Sequence, residues 1–261
     1  MISEEAARQV ALLAAGPGPL LVASDLDGTL TPIVARPADA RVLPETIRML
    51  ERLATVARVA IITGRDLNTA RRMIPTDSVV VVGSHGLEAT LDGALAPEID
   101  RLALTAALEQ VEARVMGAVP DSHVHIEKKA ISTAFHYRVA PELELPLRAA
   151  LENLPPNLRL REGRMVLEVL PNTEAGKDRA LRALVRHFRP KSVLALGDDV
   201  TDVAMLTEAG TLRAQGTRVL RIGISSGIET PAGLEAESDL LLTSAFEAIE
   251  VLDALVVALG A

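Results

Sequence analysis

Two aspartates one residue apart, Asp25 and Asp27, end an apolar run, Leu20-Leu21-Val22-Ala23-Ser24, and are followed by Gly28 and Thr29. Carboxylates so placed form a compact site of hard oxygens, suited to Mg²⁺ that keeps water and a substrate phosphate. They also offer a carboxylate nucleophile of the kind that forms aspartyl-phosphates. Asp-x-Asp-Gly also occurs in calcium loops and plain turns. A calcium loop needs further oxygen ligands and a closing Glu, which Thr29-Leu30-Thr31-Pro32 does not supply.

Other apolar runs end in the same manner. Val59–Ile62 leads into Thr63-Gly64-Arg65, and Val193–Leu196 leads into Gly197-Asp198-Asp199-Val200-Thr201-Asp202. Lys177 opens a helical stretch just ahead of the latter run. The ends of parallel strands lie on one edge of a sheet, so these groups can converge. Carboxylates gathered there repel one another unless a divalent metal and a lysine sit among them. The basic residues are mostly Arg, and the only lysines are Lys128, Lys129, Lys177 and Lys191. A lysine kept in such a chain reflects either codon chance or a place where the wide guanidinium fork does not serve.

The elements that must hold these residues follow from hydrophobic period. Helices are expected over Glu4–Ala15, Pro44–Leu53 with proline in its first turn, and up to Met73 behind a cap at Asp66 or Asn68. Val79–Val82 reads as a third buried strand before Gly83-Ser84-His85-Gly86. Strands that are continuous apolar runs alternating with helices imply a parallel sheet covered on both faces. Between about Leu87 and Leu170 the pattern changes to β-rich pieces, His123–Ile126, Ile131–Arg138 and Arg164–Leu170, with helices near 102–116 and 142–153 and a Pro155-Pro156-Asn157 turn. An α+β layer inserted between two halves of an α/β domain is expected: 1–86 and 171–261 as the core, 87–170 as the insert. The doubly wound pattern resumes with a helix over Lys177–Phe188, strands at Val219–Ile222 and Leu240–Leu242, and a C-terminal helix.

Composition bounds the rest. Of 261 residues, 49% are hydrophobic but only 2% aromatic, with no Trp, so the core must be aliphatic. A net charge of -8 argues against a nucleic-acid partner, because no basic stripe is there to displace counterions. The absence of Cys excludes disulfides, zinc-thiolate sites and thiol catalysis, and fits a reducing compartment. The first residues lack the basic region of a signal peptide. The apolar tail after Ser244 is broken by Glu247, Glu250 and Asp253, a packed amphipathic helix and not a membrane span. A soluble cytoplasmic protein is expected.

Asp25-Leu26-Asp27-Gly28-Thr29, Thr63, Lys177 and Gly197-Asp198-Asp199-Val200-Thr201-Asp202 resemble, in order, the four motifs of the haloacid-dehalogenase-like phosphatases. The resemblance implies a Rossmann-like core with an inserted cap of C2 type. It implies Asp25 as nucleophile, Asp27 as the acid and base for the leaving alcohol and water, and Thr63 and Lys177 on phosphate oxygens. Mg²⁺ would be held by Asp25, the backbone carbonyl of Asp27, and Asp198, with Asp199 and Asp202 in support. Asp rather than Thr at position 27 favours a phosphatase over the ATPases of that superfamily.

Gly83–Glu88, Ile126-Glu127-Lys128-Lys129 with Phe135–Arg138, and Gly163–Val169 are similar to segments of the trehalose-6-phosphate phosphatases. That resemblance implies that Glu127, Lys129 and Glu168 bind glucose hydroxyls, with Arg65 and His85 near the boundary between the domains. For Glu127 and Glu168 the alternative is cross-strand charge pairing on a sheet face. Adjacent strand residues point opposite ways, so Lys128 and Lys129 compete for one role. The chain departs from the family at Asp178, where glycine is usual, and at Val203, where an acid is common. Hydrolysis of trehalose 6-phosphate, a small-molecule substrate, is therefore expected. The alternatives are another sugar phosphate, such as sucrose phosphate or mannosyl-3-phosphoglycerate, and an inactive sugar-phosphate-binding module.

Overall fold

The computed structural model describes all residues except Met1, Ala35, Pro37, Ala38, 92–94, Glu98, 120–123, Arg164, Ser226, Ile228 and Glu229. His123 and Arg164, each the first residue of an expected strand, thus lie outside the described residues. The chain forms two compact units, one of Met1–Pro97 with Ala175–Ala261 and one of Glu98–Glu174.

The first unit opens with α1 (Glu4–Ala14), β1 (Leu20–Ser24), α2 (Pro44–Val56), β2 (Arg58–Ile62), α3 (Leu67–Met73), β3 (Val80–Gly83) and β4 (Glu88–Ala89). The second contributes α4 (Arg101–Ala118), β5 (His125–Lys128), β6 (Thr133–His136), α5 (Glu144–Ala150), β7 (Leu158–Gly163) and β8 (Val166–Pro171). The first then resumes with α6 (Lys177–Phe188), β9 (Ser192–Gly197), α7 (Val200–Ala214), β10 (Arg218–Ile224), β11 (Leu240–Leu242) and α8 (Ala245–Ala258).

The core sheet has seven strands in the order β11-β10-β9-β1-β2-β3-β4, all parallel except the antiparallel β4. From β1 the chain winds one way through β2 and β3, then returns and winds the other way through β9, β10 and β11. The reversal lies between β1 and β9, and the crevice at such a switch point is where α/β sheets bind ligands. Every residue of β1 is buried. Leu20 and Val22 pack on the layer that includes α1, α2 and α8, while Leu21 and Ala23 pack on the layer of α6 and α7. A strand apolar on both faces is what a doubly covered parallel sheet requires.

The second unit is a four-stranded antiparallel sheet, β5-β6-β8-β7. Phe135 and Leu167 on one of its faces are fully buried. α4 reaches the same sheet through Glu112, which accepts a hydrogen bond from Thr133 Oγ1 at 2.6 Å and pairs with Lys128.

Two expectations about extent need revision. β4 pairs with β3, so 88–89 belong to the core sheet and the chain leaves the first unit only after Pro97. β8 runs to Pro171 in the second sheet, so the chain returns at Ala175. Among the described residues, no helix is long and apolar enough to cross a membrane.

Candidate active site

Asp25 is the first residue beyond β1, Thr63 the first beyond β2, and Asp198 the first beyond β9. Parallel register keeps these ends level: Ser24 pairs with Ile61 on one side and Leu196 on the other. The Asp25 N–H continues the ladder by donating to the Leu196 carbonyl at 3.0 Å. Gly28 then turns with φ of 83°, and a Cβ there would lie 2.0 Å from Asp198 Oδ2. Only glycine permits both this turn and the close approach of Asp198.

One carboxylate oxygen from each of Asp25, Asp198 and Asp202 lies within 4.8 Å of the others, and all three residues are buried. Lys177, at the first position of α6 and 3% exposed, donates to Asp25 Oδ1 at 2.6 Å and to Asp202 Oδ1 at 2.8 Å. Burial pushes the Asp25 carboxyl well up against the pull of Lys177. Burial, with the neighbouring Asp202 charge, puts Asp198 at about 6, and burial raises Asp202 as well. Burial would lower the Lys177 ammonium, but Asp25 and Asp202 together hold it above the ordinary lysine range. Three carboxylates and one ammonium leave a buried excess of negative charge on hard oxygens. That donor set fits a divalent cation.

Asp202 has a second task. Its Oδ2 accepts from the backbone N–H groups of Asp198 and Asp199 at 3.2 and 3.1 Å. With Asp199, whose side chain accepts from Thr201 N–H, it forms a capping box at the start of α7. With both oxygens engaged by Lys177 and the backbone, Asp202 leaves Asp25 and Asp198 as the members with the most to offer a cation. Asp199 is exposed and serves as the cap, outside the triad.

Asp27 takes a different partner. Arg65 holds it bidentately, Nε to Oδ2 at 2.6 Å and Nη2 to Oδ1 at 2.7 Å. The side chain of Asp27 is thus absent from the cation-capable triad, and any part it plays there falls to its backbone carbonyl. Arg65, expected beside the substrate, is anchored on the core's own acid. Thr63 is buried, and its Oγ1 accepts from Arg65 N–H at 3.2 Å. His85 follows β3 with φ of 55°.

In the second unit, Glu127, Ala134, Glu168 and Arg161 stand in one rung across the sheet. They therefore share a face, and Lys129, two residues beyond Glu127, joins them. Glu168 accepts from Lys129 Nζ at 3.2 Å, Ser132 Oγ at 2.7 Å and Arg161 Nη2 at 2.5 Å. Burial would raise the Glu168 carboxyl, but Arg161 and Lys129 outweigh it and hold it at about 2. Glu127 is exposed and bonds His136 Nε2 at 3.0 Å. Lys128 points the other way, to Glu112 on α4. Glu127, Lys129 and Glu168 thus come together, as do Asp25, Lys177, Asp198 and Asp202. The sequence hides Arg161 because its strand, β7, is not legible there, although register alone sets Arg161 opposite Glu168; Ser132 lies in an expected β piece, and nothing in its spelling marks it as a donor to Glu168.

The family model described as Trehalose-phosphatase matches residues 23–229. The "Probable trehalose-phosphate phosphatase" of Sinorhizobium fredii is 32% identical over 209 residues, which cover 76% of each chain. The "Trehalose-phosphate phosphatase" of Mycolicibacterium paratuberculosis is 34% identical over 192 residues, 68% of this chain and 48% of that one. The match thus spans about half the length of this mycobacterial relative. Among solved structures, the C-terminal domain of C. albicans trehalose-6-phosphate phosphatase shares the fold at a TM-score of 0.70 and 22% identity, covering 96% of both chains. The matched span takes in every strand-end residue of the site from Asp25 to Asp202, and the chain belongs to the trehalose-phosphatase family of haloacid-dehalogenase-like hydrolases.

Proposed function

We propose that this chain is a Mg²⁺-dependent phosphatase that hydrolyses trehalose 6-phosphate to trehalose and phosphate through an aspartyl-phosphate on Asp25. The observation that carries the reading is Asp25 itself, buried, held by Lys177 and grouped with Asp198 and Asp202 at the sheet's switch point. Membership of the family supports the substrate.

Asp25, Asp198 and the backbone carbonyl of Asp27 would hold Mg²⁺. Bound there, the ion would neutralise phosphate and carboxylate charge that otherwise keeps an anionic nucleophile from an anionic ester. Asp25 attacks phosphorus as the bond to the sugar oxygen breaks, and Asp27 gives that oxygen a proton. Water then attacks the aspartyl-phosphate, Asp27 takes a proton back, and Asp25 is released. One water is consumed and the protonation of Asp27 is restored.

Arg65 keeps Asp27 aimed, with both carboxylate oxygens accepting from the guanidinium. One of those bonds must open before Asp27 can act as an acid. An ammonium has three donors, and two of those on Lys177 go to Asp25 and Asp202, so one N–H is left for a phosphate oxygen. Thr63 Oγ1 accepts from Arg65, so its own O–H can point to phosphate. In the second unit, Glu127, Lys129 and Glu168 recognise glucose hydroxyls, a hydrogen-bonding surface that discriminates against sugars lacking them. The cysteine-free composition supports a cytoplasmic setting.

The test is phosphate release over a panel of sugar phosphates, with Mg²⁺ and with chelator. Trehalose 6-phosphate should be preferred, and chelator should stop turnover. Preference for another sugar phosphate would move the substrate, and binding without release would leave a sugar-phosphate-binding module. Asp25→Asn should abolish turnover while the far-UV spectrum stays that of the wild type; retained turnover would remove the covalent mechanism.

A further inference from the structure

Ser84 and His85, neither of them glycine, carry φ of 51° and 55° in succession just beyond β3. L-residues with side chains avoid this region, and where it is kept the surroundings must hold it. The hold is visible here. Ser84 N–H donates to the Arg65 carbonyl at 2.7 Å, and His85 N–H to the Thr63 carbonyl at 2.9 Å. The loop after β3 is thereby bound to the loop after β2. The His85 ring lies against Gly64, where an added Cβ would sit 2.5 Å from Nε2.

A single carboxylate oxygen closes the bracket. Glu88, the first residue of β4 and 4% exposed, accepts at Oε2 from Ser84 Oγ at 2.8 Å and from Leu67 N–H at 3.2 Å. The first bond restrains a left-handed residue, and the second reaches the start of α3, two residues beyond Arg65. β4 pairs Glu88 with Gly83, so the acceptor is fixed to the sheet from which the loop departs.

We propose that Glu88 is a positioning residue: it keeps the Ser84–His85 backbone left-handed and locks it to the Thr63–Leu67 loop, fixing Thr63, Arg65 and His85 for the reaction. Its catalytic part rests on the phosphatase reading above. Truncating Glu88 leaves the Ser84 hydroxyl and Leu67 N–H without this acceptor, and the strained pair relaxes. Glycine adopts positive φ without a steric cost, so Gly at 84 removes the need for the restraint.

The experiment compares wild type, Ser84→Gly, Glu88→Ala and the Glu88→Ala/Ser84→Gly double variant. Its readouts are phosphate release per folded molecule, far-UV spectrum, melting temperature, and amide exchange of Ser84, His85 and Leu67. Displacement of aligned groups by about an ångström can cost up to about a hundredfold in rate. Glu88→Ala should therefore lose about tenfold or more in kcat/KM with a native spectrum, its three amides exchanging at least tenfold faster while those of β1 do not change. Ser84→Gly alone should stay near wild type, and in the double variant it should recover at least threefold of the lost rate. A purely structural Glu88 would lower the melting temperature and leave the rate per folded molecule unchanged. That result, or a loss that Ser84→Gly does not recover, overturns the proposal. If Glu88→Ala does not fold, Glu88→Gln replaces it, with a threefold or greater loss and the same rescue expected; an unchanged rate overturns the proposal equally. If the wild type releases phosphate from no sugar phosphate, the functional reading fails while the amide-exchange comparison still decides whether Glu88 locks the loop.

Discussion

Among the described residues, Lys177 is the single cation bonded to Asp25 and Asp202, whose side chains are 6% and 0% exposed. Removing one partner of a buried ion pair costs about 3–5 kcal/mol, because the charge left behind has neither water nor counterion. Lys177→Met should therefore lower unfolding stability by about that much in urea, and added Mg²⁺ should return part of it. A loss below about 1 kcal/mol would mean that the carboxylates relieve one another without the lysine. Arg65 makes a separate prediction through Asp27. An aryl phosphate leaves without needing a proton, whereas a sugar alcohol depends on general acid catalysis. Arg65→Gln should thus slow sugar-phosphate hydrolysis by about tenfold or more and p-nitrophenyl phosphate hydrolysis by less than about threefold. Equal losses would make Arg65 a binding residue. At this scale the sequence revealed the types and strand-end positions of Asp25, Thr63 and Asp198, because each follows a legible apolar run, and Lys177 as the residue that opens a helix. The partnership of Arg65 with Asp27 spans 38 residues of chain and leaves no mark in either motif. Nothing in the spelling of the acidic motif says that Asp202 serves α7, Lys177 and two backbone amides together.

Elements with an unmixed hydrophobic period were read nearly to the residue: β1, α6 and β11 run as expected. β7 was missed because Arg159, Arg161 and Glu162 break its apolar pattern and Pro155-Pro156 ahead of it reads as a turn. α7 was missed because it begins inside the acidic motif, whose aspartates serve as cap and site residues at once. β4, two residues long, has no period to read. β7 matters to the rung it completes, since Arg161 on that strand helps keep Glu168 ionised. The Glu168 carboxyl is held at about 2 against an ordinary 4.5. Its pairing therefore contributes fully above 4.5, fades as the pH falls toward 2, and is gone below it. The chain's only tyrosine, Tyr137, is buried in the same unit and there is no Trp, so tyrosine emission reports this unit alone. The Tyr137 transition should lose stability across that acid window, and Glu168→Gln should flatten the dependence while costing up to about 3 kcal/mol at neutral pH. An unaltered pH dependence in Glu168→Gln would show that other groups set the acid response.

Across the whole chain, the first unit draws on both ends of the sequence while the second is one continuous stretch. β1 lies between β2 from the same half and β9 from the far half, so the acidic site cannot assemble until residues on both sides of the insert have joined one sheet. The cation-capable carboxylates obey the same rule: Asp25 comes from before the insert, Asp198 and Asp202 from after it. A metal held by Asp25 and Asp198 stabilises only the folded first unit, by RT ln(1 + [L]/Kd), or about 2.7 kcal/mol at a hundredfold excess over Kd. Mg²⁺ should therefore raise the melting transition seen by far-UV circular dichroism more than the one seen by Tyr137 emission. Asp198→Asn should abolish that difference without unfolding either unit. If the two signals rise by the same amount, the units melt as one, and Asp198→Asn then decides whether Mg²⁺ acts here: a shift that survives the substitution places the ion elsewhere. If Mg²⁺ moves neither transition, the triad is an acidic cluster satisfied by Lys177 alone, and the catalytic scheme loses its metal.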